Sequence, residues 1–165
     1  MKNAGSPSSG SLEILLVEDN SRDAEMAMRA LKKNNLNNRL VWVKDGAEAI
    51  AYIFGRPDAP GAFISKRPRL VLLDLKLPKV DGLEVLARLK RDPRTRNIPV
   101  AVLTSSREET DILRSYQAGV NSYIVKPVNF ESFTEAVRQL GMYWLLLNQP
   151  PEEPAPDPKA DPAAG

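Results

Sequence analysis

The run Leu70-Val71-Leu72-Leu73-Asp74-Leu75 decides the fold. Successive apolar residues with no polar alternation fit a strand buried on both faces, which is the habit of parallel sheets. An aspartate then follows at once. A buried carboxylate without a partner costs too much to serve structure alone. Asp74 therefore calls for neighbours that neutralise it.

Working outward, residues 12–18 (LEILLVE), 39–44 (RLVWVK), 99–104 (PVAVLT) and 122–125 (SYIV) read as four further strands. Helical patterns fall between them. Residues 21–34 place Ala24, Met28 and Leu31 on one face, and residues 46–54 do the same with Ala47, Ile50, Ala51 and Phe54. Residues 83–91 carry Val85, Leu86 and Leu89, and residues 108–118 carry Ile112, Leu113 and Tyr116, closed by Gly119. Residues 130–147 form the last helix, with Phe133, Val137, Leu140 and Trp144 on one stripe. Five strands alternating with five helices require right-handed crossovers and a parallel sheet between two helical layers. The fold class is α/β, a flavodoxin-like doubly wound five-stranded parallel sheet, (βα)5, with helices on both faces.

Three domains of organisation follow. Residues 1–11, rich in Gly, Ser and Asn, and residues 148–165, rich in Pro, Asp and Glu, carry too little apolar surface to offset ordering entropy and read as disordered tails. Residues 12–147 are the folded domain, with no output domain after them. The PxxP spacings of the C-terminal tail are a weak signal for an SH3-type partner.

Composition excludes several chemistries. The 165 residues include no Cys and no His, so thiol catalysis, disulfides, Ser-His-Asp triads and His-ligated metals are out. The longest apolar run, residues 142–147, is too short for a membrane span, and the N-terminus has no apolar signal core. Net charge is only +2, and the basic residues near 66–69 and 88–96 are interrupted, which fits a solvated surface rather than a nucleic-acid footprint. The expectation is a cytoplasmic protein with no nucleic-acid or membrane partner.

In an open α/β sheet, ligands lie beyond the carboxyl ends of the strands. The residues there are Glu18 and Asp19, Asp74, Thr104 with Ser105, and Lys126 with Pro127. Three carboxylates about 4–5 Å apart repel by roughly 3–4 kcal/mol per pair at an effective dielectric near 20. A hard divalent cation relieves that repulsion, and Mg²⁺ suits oxygen ligands and phosphate. With Lys126 opposite and a hydroxyl on Thr104, the set suits phosphoryl transfer to Asp74.

These residues resemble the receiver domain of two-component response regulators. The likeness rests on residues 15–20 (LLVEDN), on Asp74 with Leu77-Pro78 and Asp81-Gly82, on residues 99–105 (PVAVLTS), and on Gly119, Tyr123 and Lys126-Pro127. The spacings from Asp74 to Thr104 and from Thr104 to Lys126 are 30 and 22 residues. The resemblance implies that Asp74 is the phosphoacceptor. It implies Mg²⁺ as cofactor, held by Asp19, by Glu18, by Asp74 and by the backbone carbonyl of Lys76. It implies Thr104 as switch hydroxyl, Tyr123 as switch aromatic and Lys126 as phosphate-binding lysine. The side chains of Lys76 and Ser106 would tune dephosphorylation, and the Lys126–Pro127 peptide would be cis. The protein would catalyse its own phosphorylation and dephosphorylation without being a classical enzyme.

The phosphoryl donor would be a phosphohistidine on a sensor histidine kinase or phosphotransfer protein. The extended stretch 55–69 and the aromatic-rich last helix are similar to single-domain regulators that work with bacteriophytochromes. Met142, Tyr143, Leu145, Leu146 and Leu147 spread apolar surface around the other faces, which points to a homodimer through the last helix, with Tyr143, Trp144 and Leu147 as its expected contacts. A haloacid-dehalogenase-type phosphatase is the alternative, but that family needs an Asp where this chain has Lys76. A flavin-binding protein of the same fold would need a phosphate loop where Glu18 and Asp19 repel phosphate.

Overall fold

The computed structural model describes residues 14–33, 35–36, 40–55, 67–127 and 129–151. The elements are β1 (Ile14–Val17), α1 (Ser21–Lys33), β2 (Leu40–Val43), α2 (Gly46–Phe54), β3 (Leu70–Leu73), α3 (Gly82–Arg91), β4 (Val100–Thr104), α4 (Glu109–Ala118), β5 (Ser122–Val125) and α5 (Phe130–Gly141). A π-helical turn, Met142–Leu147, continues α5. The expected N-terminal tail, residues 152–165 of the expected C-terminal tail, and residues 56–66 of the long stretch before β3 lie outside the described residues.

All five strands are parallel, in the order β2-β1-β3-β4-β5. This is the doubly wound arrangement the alternating pattern predicts. The central strands β1, β3 and β4 are buried along their whole length, whereas the outer strands β2 and β5 are mostly half-buried. Strand alternation sends residues to two cores. Leu15, Val17, Val71 and Leu73 pack with Ile53, Val85, Leu86 and Leu89 from α2 and α3. Ile14, Leu16, Leu70 and Leu72 pack with Ala24, Ala27, Leu31, Phe133 and Val137 from α1 and α5.

Three helices differ from the sequence reading. On α2 the buried residues are Gly46, Ala49 and Ile53, while Ala47, Ile50, Ala51 and Phe54 are half-buried, with Ile50 and Phe54 at the edge of the core. On α4, Leu113 and Tyr116 are 58% and 57% exposed, while Asp111 and Ser115 are buried. Of the expected stripe only Ile112 is half-buried; Leu113 and Tyr116 face outward, and the most buried side chains of the helix are polar, with Ala118 against the core. At the end of α5, Leu145 is the buried residue, and Trp144 packs half-buried against the same core. The Asn148 amide bonds the Tyr143 carbonyl, five residues back. That wider turn takes an extra residue and moves the buried stripe along by one.

Glycine is needed where the chain turns from β3 into α3. A Cβ on Gly82 would stand 2.3 Å from the Asp74 carbonyl oxygen. The Gly82 amide bonds the Leu75 carbonyl, and the Asp81 side chain caps the helix by accepting from the Leu83 amide. This folds the loop after Asp74 tightly back on its strand.

Candidate functional site

Register brings the acidic residues together. Val17 pairs with Leu73, so the residues just beyond each strand, Glu18 and Asp74, emerge side by side. The Asp74 amide bonds the Val17 carbonyl, and the Glu18 amide bonds the Val43 carbonyl. On the other side, Thr104 pairs with Val125, and the Lys126 amide bonds the Thr104 carbonyl. Lys126 is thereby launched at the same rim. The Trp42 indole N–H fixes the Glu18 carbonyl at 2.8 Å.

Glu18, Asp19 and Asp74 each offer a carboxylate oxygen within 4.8 Å of the others. Glu18 and Asp74 are buried and Asp19 is exposed. The Lys126 ammonium lies 2.9 Å from Glu18, 3.0 Å from Asp74 and 2.8 Å from Asp23. Asp23, in the first turn of α1, is an addition to the site that the sequence reading missed. In the sequence it reads as an ordinary first-turn acid of α1, with no signal that sets it at the rim.

The other anchors are local. Asn20 caps α1 by accepting from the Arg22 and Asp23 amides. Glu18 Oε1 accepts from the Asn20 amide, and Asp74 Oδ1 accepts from the Lys76 amide at 3.3 Å.

Electrostatics follow from this crowding. Burial, together with the neighbouring Asp74 charge, pushes the Glu18 carboxyl up to about 7, against the opposing pull of Lys126. Burial opposes the charge on Lys126, but bonds to Asp23 and Glu18 and the charge of Asp74 outweigh it and hold the ammonium above the ordinary lysine range. Three acids, Glu18, Asp23 and Asp74, share one ammonium, and Asp19 adds a further carboxylate beside Glu18 and Asp74. At an effective dielectric near 20, carboxylates so close repel by about 3–4 kcal/mol per pair. An all-oxygen, mostly anionic donor set of this kind fits a hard divalent cation such as Mg²⁺.

On the β4 side, Thr104 is fully buried. Its Oγ1 accepts from the Ser106 amide at 3.4 Å. The Tyr123 hydroxyl donates to the Ser106 carbonyl at 3.0 Å. The Ser106 hydroxyl donates to Asp111 at 2.5 Å, and Lys76 Nζ stands 3.5 Å from the same Asp111 oxygen. The Ser106 bond, aided by the Lys76 charge, holds the Asp111 carboxyl below the usual range. The structure therefore gathers Thr104, Tyr123, Lys76 and Ser106 beside the acid cluster. Asp111 joins them without having been foreseen.

The Lys126–Pro127 peptide is trans, against the cis expectation. For a bond before proline the two isomers lie close in energy, so neither is forced by the residue pair itself. Tyr143 and Leu147 are exposed and Trp144 is half-buried, all remote from the rim in sequence and on the π-helical turn.

Comparison with known proteins agrees with the geometry. The sequence pattern of the response regulator receiver domain matches residues 14–138. The probable methanogenesis regulatory protein FilR2 of Methanothrix harundinacea is 46% identical over 84% of this chain and 86% of its own length. Response regulator Rcp1 of Synechocystis is 39% identical over 80% of this chain and 88% of its own. The structure of Rcp1 in its Mn²⁺-bound form superposes with a TM-score of 0.74 at 38% identity, covering 84% of this chain and 98% of that one. The phosphorylated cyanobacterial phytochrome response regulator RcpA superposes with a TM-score of 0.77 at 40% identity, covering 87% of this chain and all of that one. On strand order, rim and sequence likeness together, the chain belongs to the response regulator receiver family.

Proposed function

We propose that this receiver accepts a phosphoryl group on Asp74 in a Mg²⁺-dependent reaction and passes the change to protein partners through α4 and β5. The observation that carries this reading is the convergence of Glu18, Asp19, Asp74 and Lys126 at the strand ends. Glu18, Asp19 and Asp74, with the Lys76 carbonyl, would hold the cation. When bound, Mg²⁺ supplies positive charge to phosphoryl oxygens and relieves the repulsion among the acids.

The protein's own groups do the rest. A carboxylate oxygen of Asp74 is the nucleophile. Lys126, already 3.0 Å from Asp74, neutralises charge on the incoming phosphoryl group. Thr104 turns its hydroxyl to donate to a phosphoryl oxygen, giving up its present role as acceptor from the Ser106 amide. Tyr123 is tied to the Ser106 carbonyl, so a shift of Thr104 and Ser106 reaches the aromatic ring directly. Ser106 and Lys76 flank the mouth and tune turnover.

The donor is a histidine kinase or phosphotransfer protein, sharing the cytoplasm with this chain. Likeness to RcpA, a phytochrome response regulator, favours a bacteriophytochrome as the kinase. The likeness to FilR2, a probable methanogenesis regulator, favours a kinase with another input. Red and far-red illumination of a phytochrome kinase during phosphotransfer separates the two readings. We assign the apolar surface of Tyr143, Leu146 and Leu147, all more than half exposed, together with Trp144 to a homodimer contact. Leu147→Glu is expected to convert a dimer to a monomer in sedimentation.

The primary test is incubation with acetyl phosphate and Mg²⁺. One phosphoryl group is expected by intact mass, absent with EDTA and absent in Asp74→Asn. Labelling that persists in Asp74→Asn would overturn the assignment.

A further inference from the structure

The β4–α4 side of the rim holds a buried acid that the chemistry above does not use. Asp111 lies in the first turn of α4 and is 8% exposed. Acids are seldom buried on a helix unless paired. Here one oxygen of Asp111 receives both the Ser106 hydroxyl, at 2.5 Å, and the Lys76 ammonium, at 3.5 Å. Ser106 is fixed through its amide and carbonyl as well, by Thr104 and Tyr123, so the Asp111 carboxylate is aimed rather than free to follow Lys76. Lys76 itself begins at the mouth of the site, with its amide on Asp74 Oδ1.

We propose that Asp111 is a positioning residue that parks the Lys76 ammonium on α4 and so limits capture of small anionic phosphoryl donors at Asp74. The inference rests on the reading of Asp74 as the phosphoacceptor. In that step an Asp74 oxygen forms a bond to phosphorus as the bond from phosphorus to the donor's leaving oxygen breaks. The leaving carboxylate departs with the electron pair, and no proton moves. A small donor arrives by diffusion as an anion and responds to the net charge at the mouth. Lys76 paired with Asp111 presents a short dipole rather than a unit charge, and its attraction falls off quickly. A docked protein donor is oriented by its own interface and depends little on this charge. Asp111 therefore tilts the site away from diffusing acyl phosphates and toward docked partners.

The test measures phosphorylation of the full chain by acetyl phosphate and Mg²⁺ as second-order rate constants. Asp111→Asn keeps an oxygen acceptor for Ser106 and removes the charge that holds Lys76. It is expected to raise the rate roughly three- to tenfold at low ionic strength, with the gain fading at about 0.5 M salt. Lys76→Gln, at a side chain 60% exposed, is expected to lower the rate by a similar factor. The double variant is expected to return near the wild-type value. Glu108 acts on Lys76 through its charge, so Glu108→Gln serves as a control for field without parking and is expected to change the rate less than about twofold.

An Asp111→Asn rate at or below wild type would overturn the inference. So would a gain that survives in the double variant, resists salt, or is matched by Glu108→Gln. Failure of the wild-type chain itself to take a phosphoryl group would instead overturn the assignment of Asp74.

Discussion

The rim has two sides built in opposite ways. On one, the Lys126 ammonium is locked among Glu18, Asp23 and Asp74 at 2.8–3.0 Å, and the adjoining α1 buries Ala24, Ala27, Ala30 and Leu31 against the sheet and α5. On the other, α4 buries Asp111 and Ser115 and turns Leu113 and Tyr116 to the outside. Its link to the rim is a chain of hydrogen bonds through Ser106 and Tyr123. Apolar burial contributes about 25 cal/mol per Å² removed from water, whereas an intramolecular hydrogen bond contributes about 1 kcal/mol net. The charged side is a fixed receptacle, and the α4 side is the one that yields at small cost. A receiver needs both: a site that holds geometry and an element that shifts when the site changes.

Breaking the charged side has the largest expected effect. Lys126→Met leaves Glu18 and Asp74 buried without their cation, and loss of one partner of a buried pair costs about 3–5 kcal/mol. Chemical denaturation of the metal-free protein is the measurement, and added Mg²⁺ is expected to restore part of the loss. Stability preserved in Lys126→Met would mean that the acids are relieved in some other way.

Next in size is a pH effect on the same side. The folded-state pKa of Glu18 is raised to about 7 from 4.5. A raised acid contributes stability that is fully present below about 4.5 and is lost as pH climbs through about 7. Metal-free protein is therefore expected to lose on the order of 2–3 kcal/mol across that window. Saturating Mg²⁺, which binds the ionised form, is expected to flatten or reverse the slope.

The α4 side should respond far less. Ser106→Ala removes the hydroxyl bond to Asp111 and is expected to cost about 1–2 kcal/mol by thermal or chemical denaturation. Leu113→Ala and Tyr116→Ala are expected to change stability by less than about 0.5 kcal/mol. A loss above about 2 kcal/mol at either position would show α4 to be packed as firmly as α1.

Much of this was legible in the chain. Apolar runs such as residues 70–73 announce buried parallel strands, and the acids, hydroxyl and lysine just beyond the strands fall at one rim because the register is set by those runs. Side chains that belong to helices were harder to place. Asp23 looks like an ordinary first-turn acid favourable to a helix N-terminus, and only the fold brings it to Lys126. Asp111 carries the same disguise on α4. The outward face of Leu113 and Tyr116 obeys the same periodicity as a core face, so spacing alone assigns it the wrong direction. The shift from Trp144 to Leu145 at the end of α5 depends on a turn with a five-residue hydrogen bond, which no residue preference announces.

Central to the proposed chemistry is that the phosphoryl group comes to rest on the Asp74 carboxylate within a metal-assisted acid cluster. The direct measurement is borohydride trapping after phosphorylation by acetyl phosphate and Mg²⁺, since the reagent reduces an acyl phosphate to an alcohol while leaving free carboxylates unchanged. Peptide sequencing by mass spectrometry is predicted to find homoserine at position 74 alone, dependent on Mg²⁺. Homoserine at Asp19, Asp23 or Glu-derived alcohol at Glu18, or none at position 74 in a protein that carries the label, would contradict it.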